Sequence, residues 1–285
     1  MDIQMLKSND AITWCPGCGN FGILNALKKA LVKLGKAPKD ILLVSGIGQA
    51  AKLPHYIKCN CFNGLHGRAL PPATAAKMVN RMLTVIVTTG DGDCYGEGGN
   101  HLINAIRRNV DMTVIVHDNQ IYGLTKGQAS PTTDSGYETK VQLGGVIVEP
   151  LHPLEMAIAL GAGFVARGYS ADSDHLSWLI EEGIAHKGFS LIDVLQPCVS
   201  FNKRNTYEWY SQRIYKVNTD PNYNFTDKQA AYQKADEWGD KIPIGIIYKI
   251  EKKTYEEKSG LDMIGPLVDE PIEAIDISKA LREYV

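Results

Sequence analysis

Long hydrophobic runs, an excess of one charge and an export signal are all missing from this sequence of 285 residues. No window reaches the apolar length that crosses a bilayer, and the N-terminus lacks a basic segment followed by an apolar core. Lys and Arg total 30 while Asp and Glu total 32, so no strong field would attract nucleic acid or a membrane surface. We therefore expect a cytoplasmic protein with a full core and with neither nucleic acid nor membrane as a partner.

Cysteine is scarce, with six residues in the whole chain. In the absence of an export signal, these cysteines predict metal ligands or core thiols rather than a disulfide framework. Cys15 and Cys18 form a C-x-x-C motif whose Pro and Gly make a tight turn and point both sulfurs one way. The motif alone is compatible with zinc, an iron–sulfur cluster, a redox dithiol or a structural turn. A thioredoxin-like role is disfavoured because no strand closely precedes the motif.

Two polar turns stand at the centre of the sequence, GDGD at residues 90–93 and DNQIYG at residues 118–123. Apolar, β-branched runs at residues 83–87 and 114–116 lead into them, and a helical pattern covers about residues 98–108. This order predicts a β-α-β unit. Because ligands of such units bind beyond the carboxyl ends of the strands, we expect the two turns to lie close together.

The two turns carry oxygen ligands of the kind that magnesium prefers. Asp91 follows the first strand and Asn119 the second, and the backbone carbonyl of Ile121 completes an all-oxygen set for Mg²⁺. Gly90 and Gly92 would let the backbone approach a phosphate. The pair predicts a diphosphate bound through a divalent metal, although each turn alone is also typical of a simple strand-ending Asx turn.

The alternation of helical and strand patterns predicts an α/β fold with a doubly wound, mostly parallel sheet. Further helices are predicted at residues 22–34, near 71–72, and at 154–160 and 174–185, and further strands at 41–44, 163–166 and 191–195. Residues 134–145 are predicted to form a loop over the site. Residues 1–205 would form the α/β domain and residues 206–285 an irregular C-terminal extension. We expect the aromatic residues of this extension to be exposed and to pack on the domain or on a partner: Tyr207, Trp209, Tyr210, Tyr215 and Trp238.

A GDG followed some two dozen residues later by Asn resembles the thiamine diphosphate signature. The longer string at residues 90–128, together with WCPGCG, LHGRALP and LQPCVSFN, is similar to the β subunits of 2-oxoacid:ferredoxin oxidoreductases over about residues 10–255. The resemblance implies a thiamine diphosphate-binding fold with Mg²⁺ and a [4Fe–4S] cluster. It also implies oxidative decarboxylation of a 2-oxoacid to an acyl-CoA and CO₂, with coenzyme A as co-substrate and ferredoxin as electron acceptor.

The same resemblance implies which cysteines would bind the cluster. Cys15, Cys18 and Cys198 match family ligand positions, but Gln49 stands where many β subunits carry a cysteine. Cys59 and Cys61 are the thiols nearest to this position in the sequence. Residues two apart on an extended segment point to opposite sides, so we expect one of them to bind, with Cys59 preferred and Cys61 as its alternative. Cys94 matches no ligand position and is predicted to be a packing residue.

The resemblance also implies roles for other residues. His66, in the LHGR string, would contact the thiamine ring or the reacting carboxylate, and Lys126 would pair with a distal carboxylate of the substrate, which favours 2-oxoglutarate over branched-chain 2-oxoacids or pyruvate. His66 and Lys126 are thus the candidate catalytic residues. The candidate cofactor-binding residues are Cys18, Ile47, His66, Gly90, Asp91, Gly92, Asp93, Asn119, Ile121, Gly123 and Leu124.

Thiamine enzymes also need a carboxylate that activates the aminopyrimidine, and no second doubly wound pattern is left in this chain to supply it. The resemblance implies that an α subunit completes the active site, in an αβ pair that dimerises and can include γ and δ subunits. Two other interpretations stay open. One is a non-redox thiamine diphosphate-dependent decarboxylase or synthase subunit with a structural zinc, and the other is a zinc-stabilised binding module without catalysis.

Overall fold

A central sheet orders the chain in the computed structural model, which describes residues 2–271 and 276–284. Within those residues the sheet has eight strands in the order β2-β1-β3-β4-β6-β5-β8-β7. The strands are β1 (Ile41–Ser45), β2 (Asn60–Asn63), β3 (Thr84–Gly90), β4 (Met112–Asp118), β5 (Phe164–Tyr169), β6 (Phe189–Leu195), β7 (Ile214–Lys216) and β8 (Ile242–Lys249). Strands β1 to β6 pair in parallel, and β8 pairs antiparallel with β5. The predicted mostly parallel sheet is confirmed.

Helices cover both faces of the sheet. They are α1 (Asn20–Lys33), α2 (Leu70–Val79), α3 (Gly99–Arg108), α4 (Pro153–Ala159), α5 (Ser173–Ala185), α6 (Tyr207–Ser211), α7 (Lys228–Asp236), α8 (Tyr255–Ser259) and α9 (Ser278–Arg282). Helices α2, α3, α4 and α7 bury apolar residues on one face, and α1 and α5 do so on the other. This arrangement is the predicted doubly wound one. No helix within the described ranges is both long and apolar enough to span a membrane.

The centre of the sheet is apolar on both sides because its strands are covered twice. Every residue of β4 and β6 is buried. In β3, Val85 and Val87 face one apolar cluster and Ile86 faces the other. A strand that is covered on both faces has apolar residues at nearly every position. For this reason the sequence predicts strands at residues 83–87 and 114–116.

A long connection follows β4 and contains no helix or strand until α4 begins at Pro153. The predicted loop at residues 134–145 lies within it. The turn at Gly92–Glu97, between β3 and α3, is wound more loosely than an α-helix, as a π-helical turn. Wide turns of this kind are frequent at functional sites.

The C-terminal region does not follow the prediction of an irregular extension with exposed aromatics. Strands β7 and β8 extend the main sheet beyond β5, so the boundary predicted at residue 205 does not separate this region from the sheet. Tyr210 is 1% exposed and packs beside Trp209 and Trp238 in a satellite cluster with Ile242 and Ile244. The predicted extension also includes residues 272–275 and 285, which lie outside the described residues.

Candidate active site and the neighbouring cysteine cavity

The carboxyl ends of β1, β3 and β4 enclose a cleft. Gly90 is level with His117 in neighbouring parallel strands, so the turns that follow β3 and β4 leave the sheet at the same edge. The structure brings together nearly all of the predicted cofactor-binding residues in the lining of this cleft: Ile47, His66, Gly90, Asp91, Gly92, Asp93, Asn119, Ile121, Gly123 and Leu124. Cys18 is the exception, because it lines an adjacent cavity instead.

Asp91 is buried and held by two hydroxyl groups. Its Oδ2 accepts hydrogen bonds from Ser130 Oγ at 2.5 Å and from Thr132 Oγ1 at 2.8 Å. Burial raises the pKa of Asp91, and the two hydroxyl hydrogen bonds oppose that rise. A divalent cation in the cleft would favour the carboxylate further, because opposite charge stabilises the ionised form.

Thr132 also joins Asp91 to a second buried acid that the sequence did not single out. Its Oγ1 lies 2.8 Å from Asp118 Oδ1 as well as 2.8 Å from Asp91 Oδ2. A hydroxyl has one proton to donate, so two bonds of this length require a proton on one of the carboxyl groups. Burial, followed by the charges of Asp193 and Asp91, raises the pKa of Asp118 well above its usual range. The Thr132 hydroxyl thus links two buried acids, Asp91 and Asp118.

Asn119 is fixed from both sides. Its Oδ1 accepts a hydrogen bond from the Ile121 N–H at 3.0 Å, and its Nδ2 donates to Gln196 Oε1 at 3.2 Å. The first bond is the Asx turn that the sequence also allowed. An amide oxygen has a second lone pair, so the turn leaves Asn119 able to bind a cation. The donor set around Asp91 and Asn119 thus fits a hard, oxygen-binding metal such as Mg²⁺.

Asp93 connects two loops and the end of β3 at the floor of the cleft. Its carboxylate accepts hydrogen bonds from the Gly67 N–H at 2.7 Å, from Thr89 Oγ1 at 2.7 Å and from the Ile47 N–H at 3.2 Å. His66 Nδ1 is a fourth neighbour at 2.7 Å. With its acceptor sites engaged in this way, Asp93 orders the loops around a ligand more than it offers an oxygen to one.

His66 gains a defined orientation from this contact. Because the Asp93 carboxylate can only accept, His66 Nδ1 carries a proton and donates it. In the neutral ring Nε2 is then the unprotonated nitrogen. The side chain is 41% exposed, stands edge-on to Tyr122 with ring centroids 6.2 Å apart, and lines the cleft.

Lys126 lies on the rim and not in the lining of the cleft. It is exposed and occupies the tight turn that follows Gly123, with a φ of 73°. The turn is closed by hydrogen bonds from Lys126 N–H to the Gly123 carbonyl at 3.2 Å and from Gly127 N–H to the Tyr122 carbonyl at 2.9 Å. Leu124 and Thr125 of the same turn do line the cleft.

Three of the predicted cluster ligands meet in one cavity beside the cleft. Cys15, Cys18 and Cys198 all line it. Ser200 Oγ donates to Cys15 Sγ at 3.1 Å, and Gln196 Nε2 donates to Cys18 Sγ at 3.5 Å. Burial is the main cause that raises the pKa of Cys18, to about 11.

The C-x-x-C turn is tied to the segment that carries Cys198. The Gly19 N–H donates to the Pro197 carbonyl at 3.3 Å, and the Tyr207 hydroxyl donates to the Gly17 carbonyl at 3.0 Å. In residues 2–271 and 276–284, no group of three or more His, Cys, Asp or Glu side chains could hold a metal ion as placed. A cluster differs from a single ion because each thiolate binds a different iron.

Cys59, which the sequence predicted as the fourth ligand, does not line this cavity. Cys59 precedes β2 and packs against the apolar cluster beneath α1, where burial raises its pKa to about 12. It stands four residues before Asn63, the carboxyl end of β2, which is roughly 13 Å along an extended strand. Cys61, its alternative, is exposed and pairs with Leu43. Gln49 lines the cavity instead. Cys94 is buried in the core, as predicted.

The two sites share a wall. Gln49, Asn119 and Gly123 line both the cleft and the cysteine cavity. The Trp14 indole N–H donates to the Gln49 carbonyl at 2.8 Å, which joins the wall to the chain just before Cys15. The wall, Ser130, Thr132 and Asp118 were not foreseen from the sequence, because nothing in a local pattern indicates which loops cross at the sheet edge.

Comparison with known families agrees with this geometry. Residues 45–194 match the C-terminal TPP-binding domain of thiamine pyrophosphate enzymes, and residues 198–261 match the C-terminal region of the pyruvate ferredoxin oxidoreductase beta subunit. The fold and the cleft therefore define a chain of the thiamine diphosphate-dependent class.

Individual relatives narrow the family. The 2-oxoacid:ferredoxin oxidoreductase subunit beta of Sulfolobus sp is 50% identical over 257 residues, which cover 86% of this chain and 84% of the relative. The 2-oxoglutarate synthase subunit KorB of Methanocaldococcus jannaschii is 36% identical over 86% of this chain and 90% of its own. A solved 2-oxoglutarate:ferredoxin oxidoreductase from Magnetococcus marinus, with 2-oxoglutarate, coenzyme A and succinyl-CoA bound, superposes with a TM-score of 0.91 at 32% identity, covering 99% of this chain and 96% of that one. The chain belongs to the β subunits of the 2-oxoacid:ferredoxin oxidoreductases, which are oxidoreductases.

Proposed function

We propose that this subunit binds thiamine diphosphate through Mg²⁺ in the cleft, holds an iron–sulfur cluster in the cysteine cavity, and acts with coenzyme A on 2-oxoglutarate. The observation that carries the proposal is the shared wall of Gln49, Asn119 and Gly123. A group bound in the cleft and a group bound by the cysteines would lie on opposite sides of this wall. Such proximity is what electron transfer between two bound cofactors requires.

Thiamine diphosphate, when bound, supplies the carbon nucleophile for the 2-oxo carbon and accepts the electron pair left by CO₂, and the cluster accepts electrons one at a time. The residues of this chain prepare the cleft for that chemistry. Asp91, Asn119 and the Ile121 carbonyl would hold Mg²⁺. Thr132 donates a hydrogen bond to the carboxylate of Asp91, and Asp93 orders the loop that contains Gly67. His66, which lines the cleft, would contact the thiamine ring or the reacting carboxylate.

The subunit does not form the whole active site on this proposal. Apolar side chains stand exposed around the mouth of the cleft, with Leu65 74%, Leu124 49% and Ile47 40% exposed. Apolar groups beside a polar cleft are typical of surfaces that another chain covers. An α subunit that packs there would supply the activating carboxylate, and ferredoxin would accept the electrons from the assembled complex.

The preference for 2-oxoglutarate rests on Lys126 and on the relatives. Lys126 is exposed at the rim, on a turn whose neighbours line the cleft. From that position an ammonium group can attract the second carboxylate of a dicarboxylic 2-oxoacid. The relatives named 2-oxoglutarate synthase and the solved oxidoreductase with bound 2-oxoglutarate support the same choice.

The test uses the complex copurified with its partner under anaerobic conditions. Turnover is measured with 2-oxoglutarate, pyruvate and a branched-chain 2-oxoacid, with viologen as electron acceptor, for the wild type and for Lys126→Gln. We expect 2-oxoglutarate to give the highest kcat/KM, and Lys126→Gln to raise KM for 2-oxoglutarate but not for pyruvate. Lys140→Gln, which removes another exposed lysine of the loop after β4, serves as the matched control.

An equal loss with all three acids in Lys126→Gln would contradict the role of Lys126 in substrate choice. An absence of viologen reduction, together with zinc and no iron in the purified complex, would instead favour the non-redox thiamine enzyme.

A further inference from the structure

The cysteine cavity is lined by three thiols, and its described lining contains no fourth cysteine. Of the residues that line it, the sulfur ligands are Cys15, Cys18 and Cys198, and none of the described lining residues is His, Asp or Glu. Gln49 lines the cavity on the side that faces the cleft. A cluster of four irons is normally held by four thiolates.

The other polar side chains of the cavity are already engaged. Asn20 Oδ1 is 2.8 Å from His117 Nδ1, and Ser200 Oγ donates to Cys15 Sγ. Gln196 Nε2 donates to the Pro197 carbonyl at 2.8 Å, and its Oε1 accepts from Asn119. The side-chain amide of Gln49, by contrast, makes no hydrogen bond within the described part of the chain, and its Cγ lies 4.0 Å from the position of a Cβ on Gly123.

Neither remaining candidate thiol lines this cavity. Cys59 is packed at the amino end of β2, while the cavity lies at the carboxyl ends of the strands. Cys61 is held by the pairing of β2 with β1. The fourth side of the cavity is therefore formed by the side-chain amide of Gln49.

We propose that the cluster of this subunit is held by only three protein thiolates, from Cys15, Cys18 and Cys198, and that its fourth corner faces Gln49 without a protein thiolate. This inference rests on the proposed function, because it presupposes that the cavity holds a cluster. An amide oxygen is neutral and hard, and it is a poor substitute for the soft, anionic thiolate that iron–sulfur sites use. The iron at that corner is consequently exchangeable.

The open corner points toward the thiamine site. Gln49 lines the cleft as well as the cavity, so the iron without a thiolate would be the one nearest to the cofactor that donates electrons. A small exogenous ligand, such as hydroxide or a thiol, could bind this iron and change the reduction potential of the cluster. A four-thiolate cluster does not offer such a position.

The experiment compares the anaerobically copurified complexes of the wild type, Gln49→Cys, Cys59→Ala and Cys15→Ala. Each is oxidised mildly with ferricyanide, and the iron released and the EPR spectrum are recorded. Removal of one electron and one ferrous ion from [4Fe–4S]²⁺ leaves [3Fe–4S]⁺, which has its own EPR signal. The signal that disappears in Cys15→Ala belongs to this site, even if other subunits carry clusters.

In the wild type we expect a Cys15-dependent three-iron signal with loss of one iron per cluster, reversed by ferrous ion and a reductant. Cys59→Ala should behave like the wild type, and Gln49→Cys should retain all of its iron and give no three-iron signal. Disappearance of the cluster in Cys59→Ala, or a wild-type cluster that keeps all of its iron, would overturn the three-thiolate assignment alone. A Gln49→Cys cluster as labile as the wild type would also overturn it. If the wild type and Cys15→Ala contained the same amount of iron, the proposed cluster would be overturned as well.

Discussion

Asp93 shows how a single carboxylate can order a binding cleft from below. It accepts hydrogen bonds from residues of two loops and of β3, and it lies 2.7 Å from His66. The sequence marked Asp93 as a residue that binds the cofactor. The structure indicates a supporting role, because the donors that surround it leave little capacity for a ligand.

Asp93→Asn tests this role. An amide cannot accept hydrogen bonds at both of its ends, so at least one buried donor loses its partner, at a cost of roughly 2–3 kcal/mol in the free energy of unfolding. We also expect thiamine diphosphate to bind roughly tenfold or more weakly, because 1.4 kcal/mol is a factor of ten. Urea unfolding and calorimetric titration of the complex measure the two effects. The exposed Asp262→Asn is the control, and unchanged binding in Asp93→Asn would contradict the proposed role.

A second effect at this scale concerns pH. Burial raises the pKa of Asp193 from 3.8 to about 6, although Arg167 and the Tyr95 hydroxyl oppose the rise. The folded chain therefore holds a proton there that the unfolded chain releases, and this contribution to stability is fully present below the unfolded pKa. It is lost as the pH rises to about 6.

We expect the ligand-free subunit to lose roughly 2–3 kcal/mol of unfolding free energy between about pH 4 and pH 6 from this residue. Asp193→Asn, which is neutral throughout, should show a flatter dependence on pH. Urea denaturation at several pH values is the measurement. If the slopes of the two proteins were equal, Asp193 would not be the group responsible.

At the scale of elements, the C-x-x-C turn depends on how closely α1 approaches β5. A Cβ on Gly22, in the first turn of α1, would lie 1.9 Å from the carbonyl oxygen of Ser170, which follows β5. The obstacle is backbone and cannot rotate away. The glycine thus allows the start of α1, and with it Cys15 and Cys18, to lie against the end of the sheet.

Gly22→Ala should therefore destabilise the chain by roughly 1–3 kcal/mol through overpacking and lower its iron content. Gly99→Ala provides the matched control, because Gly99 is also in the first turn of a helix and has no atom within 4 Å of its hypothetical Cβ. Thermal unfolding and iron analysis of both variants are the measurements. Normal stability and iron content in Gly22→Ala would show that α1 is free to shift.

The elements were predictable where burial leaves a repeating pattern. The strand predicted at residues 114–116 lies inside β4, and the strand predicted at 83–87 begins one residue before β3. The helix predicted at 174–185 coincides closely with α5. The contacts between loops were not predictable, because they depend on which strands are neighbours. Cys59 is an example: it is ten residues from Gln49 in sequence, yet β2 carries it to the other end of the sheet. Tyr210 is another, since the pairing of β8 with β5 creates the cluster that buries it.

At the scale of the whole molecule, the C-terminal strands decide whether the sheet is complete. Removal of residues 206–285 would delete β7 and β8 and leave the edge of β5 without its partner. An unprotected edge strand promotes aggregation. We expect a chain of residues 1–205 to be insoluble, whereas a chain of residues 1–261, which keeps the eight strands found in the described residues, should stay folded. Soluble expression and circular dichroism test both, and a folded 1–205 chain would restore the boundary predicted at residue 205.

We propose that the cleft is the site of CO₂ loss and that the cysteine cavity is the site of electron transfer. Measuring the two steps separately tests this proposal most directly. Cys15→Ala, Asp91→Ala and the wild type are copurified with the partner subunit, and CO₂ release from carboxyl-labelled 2-oxoglutarate is followed together with viologen reduction. We expect Asp91→Ala to lose both activities, and Cys15→Ala to keep bound thiamine diphosphate and a first turnover of CO₂ while viologen reduction falls to background. Viologen reduction at the wild-type rate in Cys15→Ala would contradict an electron path through the cysteine cavity.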